Sequence, residues 1–319
     1  MTQPLDPPPA RELPAVLVAG AACRDIVEDD PRGWRLGGGV SYSALTVARL
    51  GLPTRAVVGV DDEAATADEL DLLIDAGVEL VLVPLRTGPV FVNIERPEGR
   101  LQVARQPSDP LPVGAIPHEW RGSRGWLLAP VADELPDAWA GAPPADAIVA
   151  VGWQGLLREL VPDEPVGRVE PGPGPIVHRA DLASISREDV HPGTPVDALV
   201  GYLRDGATLV VTQGDRGGIV ATSAGGRVRL RHYPAVRSPR PVDPTGAGDT
   251  FLAALVAAWV EPRLVGGRTG GQDLLLAAAA ASLVLEGEGL RGVPDREAVA
   301  RRMAEGATAF DRGAGGALG

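Results

Sequence analysis

Apolar positions fall along this chain in two alternating rhythms. Short runs such as AVLVAGA (15–21), TRAVVGV (54–60) and ELVLVPL (79–85) are nearly continuous and β-rich, the pattern of strands buried on both faces. Between them, YSALTVARLG (42–51) and ATADELDLLIDAGV (65–78) repeat at helical spacing; the first is closed by Gly51 and followed by Pro53. After residue 125 the alternation resumes. GWLLAPV, AIVAVGW, ADLASIS, ATLVVTQG (207–214) and GGIVATS (217–223) read as strands. VDALVGYLRDG (196–206), 248–260, 272–286 and about 295–305 read as helices. Strands alternating with helices predict an α/β fold with a doubly wound, mostly parallel sheet flanked by helices.

Two segments break the rhythm. RDIVEDDPRGWRL (24–36) reads as a hairpin around Asp30-Pro31-Arg32-Gly33, and PVFVNIERPEGRLQVARQ (89–106) as a hairpin around Pro97-Glu98-Gly99. They are expected to pair into a small sheet outside the main one. The proline-rich stretch VPDEPVGRVEPGPGP (161–175) reads as a loop. Residues 1–12 are proline-rich and expected to be a disordered tail, 13–305 a single domain, and 306–319 a flexible, Gly- and Ala-rich tail.

Composition narrows the chemistry. The 319 residues carry a net charge of −12, which argues against sequence-independent nucleic-acid binding. All 30 basic residues are arginine, so neither a Schiff-base lysine nor a phosphate-loop lysine is available. A single cysteine, Cys23, fits a reducing compartment and allows no intrachain disulfide. The four histidines show no metal-ligand spacing. The apolar run 13–22 lacks the positive flank of a signal peptide and reads as a buried first strand, and the run 274–285 is too short to span a bilayer, so a cytoplasmic protein without a membrane partner is the expectation.

The chemistry gathers in PVDPTGAGDTFLAALVAAWV (241–260). Small residues at 246–248 open a helix whose first N–H groups have no internal partner, a ready anion site. Asp249 beside them would repel an anion. It is explained either as a helix cap or as a base that takes a proton from a hydroxyl attacking a phosphate, and spacing alone divides the two evenly.

DPTGAGDTF resembles the C-terminal signature of the ribokinase-like (PfkB) family of carbohydrate and nucleoside kinases. VAGAACRDIV, LGGGVSYSALTVARLG, ADLASISREDV and VTQGDRGG resemble further family segments. Together they cover roughly 15–305, far more specific than any one match. The resemblance implies an ATP-dependent kinase acting on a hydroxyl of a small sugar, cyclic polyol or nucleoside. It makes Asp249 the general base and the backbone of Gly246, Ala247 and Gly248 the anion hole. Asp25, Gly38 and Gly39 would hold the acceptor, and Thr212, Gly214 and Thr245 would lie by the nucleotide. It further implies Mg²⁺, a monovalent cation such as K⁺ near Asp243 in some members, and hairpins that act as a lid, as a homodimer interface, or as both. Two departures stand out. Tyr42 occupies the place of a sugar-contacting Asn, and the Asn-x-x-Glu motif reads Ser186-Arg187-Glu188-Asp189, leaving Asp189 as the metal candidate. GWQGLLREL (152–160) resembles a stretch of an inositol-kinase-like branch, which implies that Gln154 and Arg158 contact substrate or phosphate. The rival reading is a non-catalytic sugar- or nucleotide-binding regulatory protein. A nicotinamide-binding fold is disfavoured because GAACRD lacks GxGxxG.

Overall fold

In the computed structural model, residues 13–28, 30–96, 99–266 and 271–313 are described. The N-terminal half contains β1 (Val16–Ala21), β2 (Cys23–Ile26), β3 (Trp34–Gly37), α1 (Gly39–Arg49), β4 (Thr54–Val60), α2 (Glu69–Asp75), β5 (Val78–Pro84), β6 (Val90–Arg96), β7 (Gly99–Gln106) and β8 (Gly125–Leu128). There follow β9 (Ile148–Gly152), β10 (Arg158–Glu159), β11 (Glu164–Pro165), β12 (Gly167–Arg168), α3 (Pro175–Arg179), β13 (Leu182–Ser186), α4 (Val196–Val200), β14 (Thr208–Thr212), β15 (Gly218–Ala224) and β16 (Arg227–Tyr233). The chain closes with α5 (Ala247–Val260), α6 (Gln272–Val284) and α7 (Arg296–Gly313).

The main sheet has nine strands in the order β16-β15-β14-β13-β9-β8-β1-β4-β5. From β14 to β5 every pairing is parallel; β15 and β16 are antiparallel additions at one edge. Period-two alternation along β1 explains the layering. Val16 and Val18 point into one buried cluster with α1, α5 and α6, whereas Leu17, Ala19 and Ala21 point into a second cluster on the opposite face. Two-sided burial is what the near-continuous apolar runs required. Among the described residues no helix is long and apolar enough to cross a membrane.

Both expected hairpins form and join. β2 pairs antiparallel with β3, β6 with β7, and β2 runs parallel to β6, giving a small sheet in the order β11-β7-β6-β2-β3. Residues 97 and 98 of the second turn lie outside the described residues. The small sheet is fastened to the body near β2 and β3. Arg24 pairs with Asp61 at 2.8 Å, and Arg32 reaches both oxygens of Glu69, at 2.6 and 2.8 Å. Trp34 lies against both guanidinium groups, 5.7 Å from Arg24 and 4.7 Å from Arg32.

Several expected elements differ. The stretch 161–175 is not a plain loop: it adds β11 to the small sheet, with Asp163 and Val166 N–H groups donating to Ala104 and Gln102 carbonyls at 2.7 and 2.9 Å. Pro165 is tolerated there because β11 is an edge strand. The helix expected over 196–206 stops at Val200, before Gly201 and before Gly206 with φ 83°. Residues 306–313, expected as tail, continue α7. The edge strand β16 went unforeseen. The terminal stretches 1–12 and 314–319 lie outside the described residues.

Candidate active site

α5 begins where the chain leaves the sheet edge and returns to the core. Gly246 caps it at φ 77°, a left-handed conformation that glycine adopts freely. The same position needs a missing side chain for a second reason: a Cβ there would overlap the Tyr42 ring. Residues 250–258 are buried between α1, α6 and the sheet, so the first turn of α5 is held rigidly by its own apolar body.

That first turn separates two cavities. The first, of about 340 Å³, is bordered by Gly246 and Asp249 together with Asp25, Gly38, Gly39, Tyr42, Gln154, Arg158 and Asp189. The second, of about 810 Å³, is bordered by Ala247 and Gly248 together with Thr212, Gly214, Tyr233 and Phe251. Glu188 borders both. Successive residues of one helical turn thus face opposite chambers.

The first cavity is polar and mixed in charge. Asp25, from β2, accepts a hydrogen bond from Asn93 Nδ2 at 3.2 Å, and Asn93 Oδ1 accepts one from Gln102 Nε2 at 3.0 Å. Gly37 leaves room for this carboxylate, since a Cβ there would overlap Asp25 Oδ2. Gly38 adopts φ 95°, and a Cβ on Gly39 would stand 2.7 Å from Asp249 Oδ1. At both glycines a Cβ would crowd its neighbours, Ala21 O at 2.7 Å for Gly38 and Asp249 Oδ1 for Gly39. Arg158 Nη1 donates to the Val131 carbonyl at 3.0 Å, and the guanidinium lies 5.4 Å from the Phe91 ring centre. Among the described residues Arg158 makes no ion pair.

Asp249 is half-buried. Burial raises its carboxyl from 3.8 to about 6; the Arg158 guanidinium works against that rise and Asp189 adds to it. Such a group is ionised at neutral pH yet basic enough to hold a proton. Tyr42 is buried and its hydroxyl is pushed well up, by burial first and then by Asp243, Asp25, Cys23 and Asp249. Burial likewise raises the Cys23 thiol, so it is a packing group and not a thiolate nucleophile.

Three further candidate residues fasten the loops around the cavities. Asp189, the metal candidate, borders the first cavity only; its Oδ2 accepts the Ser186 N–H at 3.0 Å and its Oδ1 accepts from Gln154 Nε2 at 2.7 Å. It caps a helical turn, and the neighbouring Glu188 is the carboxylate that reaches the second chamber. Thr245, expected beside a nucleotide, borders the first cavity and a third of about 410 Å³. Asp243 accepts N–H bonds from Thr245 at 2.9 Å and Gly289 at 3.1 Å, pinning the loop that leads into α5. Among the described residues no group of three or more His, Cys, Asp or Glu side chains is poised to hold a metal.

The motifs did not point to Asn93, Gln102 or Arg168, all of which border the first cavity. The second cavity has an aromatic wall, where Tyr233 and Phe251 stack at 5.4 Å with an interplanar angle of 27°. A Cβ on Gly248 would meet nothing within 4 Å, so the backbone there is open to a ligand.

Residues 188–296 match the model of the pfkB family carbohydrate kinases. A nucleoside kinase of Methanocaldococcus jannaschii is 31% identical over 107 residues, which is 32% of this chain and 31% of that protein. The match thus spans about a third of that relative's length. Among solved structures, a pyrophosphate-dependent kinase in the ribokinase family, complexed with a pyrophosphate analog and myo-inositol, superposes with a TM-score of 0.67 at 19% identity, covering 90% of this chain and 99% of that one. The Methanocaldococcus jannaschii nucleoside kinase structure gives 0.63 at 15% identity, covering 93% and 100%. Arabidopsis thaliana ribokinase, complexed with ribose and ATP, gives 0.63 at 19% identity, covering 91% and 99%. At these identities the likeness is one of fold, and it agrees with the order of motifs along the chain.

Proposed function

We propose that this chain, a ribokinase-like protein whose residues 188–296 match the pfkB carbohydrate kinases, transfers a phosphoryl group from ATP to a hydroxyl of a small, neutral, polyhydroxylated ring. One observation carries the reading: a single turn of α5 presents Asp249 to one chamber and the Ala247–Gly248 backbone to the other.

Asp249 takes the proton of the acceptor hydroxyl as its oxygen attacks the terminal phosphorus. A new O–P bond forms, the bond to the bridging oxygen breaks, and ADP leaves. Gly246, Ala247 and Gly248 offer backbone N–H groups and the positive end of the α5 dipole to the charge on the transferring group. Asp25, Asn93 and Gln102 form a chain of acceptors and donors suited to neighbouring hydroxyls, with Gln154 and Arg158 opposite. A volume of about 340 Å³ suits a single ring. Free sugars, cyclic polyols and the ribose of a nucleoside are the candidate acceptors, and the myo-inositol in the pyrophosphate-dependent relative favours a cyclic polyol.

The second chamber fits a nucleotide better than pyrophosphate alone, because its 810 Å³ include the Tyr233–Phe251 wall and the apolar side chains of Val236 and Leu285. Mg²⁺, when bound with ATP, neutralises phosphate charge. Glu188, at the junction of the chambers, is the side chain we assign to hold it through water. Asp243 acts in this scheme by fixing the anion-hole loop, and exchanging K⁺ for Na⁺ in the assay tests the monovalent cation implied by the resemblance. The small sheet closes over the acceptor and excludes competing water.

The test is ADP release with Mg·ATP, and phosphate transfer from Mg·pyrophosphate, over a panel of pentoses, cyclic polyols and nucleosides. Turnover on one acceptor class, reduced about 10²-fold or more in Asp249→Asn, is expected. Acceptor binding with no transfer from either donor would establish the binding-protein reading instead.

A further inference from the structure

Glu134 lies outside both cavities, in the turn that follows β8, and is 1% exposed. Its Oε1 accepts the Ala21 N–H at 2.7 Å, at the end of β1. The same carboxylate accepts the Val131 N–H at 3.2 and 3.0 Å and the Ala132 N–H at 2.8 Å. No cation is paired with it among the described residues, and burial raises its carboxyl against the opposing pull of these N–H groups. An acid this deeply buried without a counter-ion is a costly way to fasten a turn.

What the turn carries is the acceptor chamber. Val131 borders the first cavity, and its carbonyl receives Arg158 Nη1 at 3.0 Å. The turn has little slack. Asp133 sits at φ 56°, in the left-handed region, and its N–H donates to the Gly155 carbonyl at 3.0 Å. Gly155 in turn packs so closely on Pro130 that a Cβ would overlap the Pro130 carbonyl. The segments 130–134 and 153–158 therefore move as one piece, with Glu134 as its bolt to the central strand.

We propose that Glu134 is a positioning residue of the acceptor site, setting through the 131–132 backbone where the Arg158 guanidinium stands relative to Asp249. The inference rests on the kinase reading only in calling Asp249 the base; the coupling itself is a property of the fold. The charged and titratable groups around the cavity that holds Asp249 are Arg158 on β10, Arg168 on β12, Glu188 and Asp189 after β13, Cys23 and Asp25 on β2, and Tyr42 on α1. Of these, Arg158 is the cation that favours ionised Asp249. Glutamine at 134 would keep the volume but offer one acceptor oxygen where two now serve three N–H groups, and its amide would face donors with a donor. The turn relaxes and Arg158 withdraws.

The experiment follows Asp249 directly, in the full chain labelled with carboxyl-¹³C aspartate, its resonance assigned by loss in Asp249→Asn. In the unsubstituted protein the midpoint is expected at about 6. Arg158→Gln should raise it by roughly half a unit to one unit, and Glu134→Gln by a similar amount. Glu134→Gln/Arg158→Gln should titrate no higher than Arg158→Gln alone, because both act through one guanidinium. Amide dispersion reports folding of each variant. Where Glu134→Gln does not fold, Glu134→Asp, which keeps the charge but withdraws the oxygens, takes its place with the same expectation. Three results overturn the proposal: an unmoved Asp249 midpoint in the folded Glu134 variant, an unmoved midpoint in Arg158→Gln, or shifts that add in the double variant. None depends on turnover, so a failure of the kinase reading would be seen separately.

Discussion

Replacing Asp249 by asparagine should stabilise the fold, by an amount that depends on pH in a defined direction. The folded carboxyl titrates at about 6 against an ordinary 3.8, so the native state holds the proton more tightly than the unfolded chain. Between about pH 4 and 6 the folded protein binds more protons, and stability falls as pH rises through that window. The full difference corresponds to about 3 kcal/mol. Solvent reaches the half-buried carboxyl, so the measurable part is reduced to about 1–2 kcal/mol. Asp249→Asn carries no such penalty. In urea unfolding at pH 8 it should exceed the parent by about 1–2 kcal/mol, or about 2–4 °C in Tm. The gain should shrink at pH 5 and vanish below about pH 4. A gain of equal size at every pH would mean that packing, not charge, was altered. No gain at pH 8 would refute the burial argument, and with it the reason for treating Asp249 as a tuned base.

Other substitutions separate backbone space from ligand space. Gly248→Ala should leave Tm unchanged, since its Cβ meets nothing within 4 Å, while weakening ATP binding by about tenfold or more in calorimetry. Unaltered ATP affinity would remove the backbone at 248 from the donor site. Gly246→Ala should instead lower stability by at least about 1–2 kcal/mol, through its φ of 77° and the overlap with Tyr42. A folded Gly246→Ala of parental Tm would show that the Tyr42 ring moves freely. Asp25→Ala should raise acceptor KM with ATP binding intact, and an equal loss on both substrates would place Asp25 in the framework of the small sheet.

Much of this architecture was legible in the chain. The near-continuous apolar runs fixed the parallel strands because two-sided burial leaves no polar face to read. The register that sets Asn93 opposite Gln102 was not legible, because the expected turn Pro97-Glu98-Gly99 would have shifted it by one residue from the observed Arg96–Gly99 pair. A polar residue at Asn93, on the same strand face as Phe91, was still a readable sign of a lined cavity. β16 was missed because RVRLRHY, with arginine at every second position, looks like a solvated stretch; its outward arginines are what an edge strand needs. Arg168 carried no signal at all, lying in a proline-rich run with no period. That Asp189 borders the first chamber and Glu188 both was not legible, because a motif fixes spacing along the chain, whereas the direction of a short helical turn is fixed by its cap.

The two chambers draw their walls from different stretches of chain. Apart from the first turn of α5 and Glu188, the first chamber is lined by residues before 190 and Thr245, and the second by Ser186 and residues after 211. Inheritance can therefore vary one without the other. Exchanging segments around 91–102 and 154–168 between homologous folds should transplant a taste for one alcohol onto an unchanged fuel, and grafting 233–238 with 278–285 should do the reverse. The molecule is modular along its gene as well as in space, with one small helical turn as the shared joint.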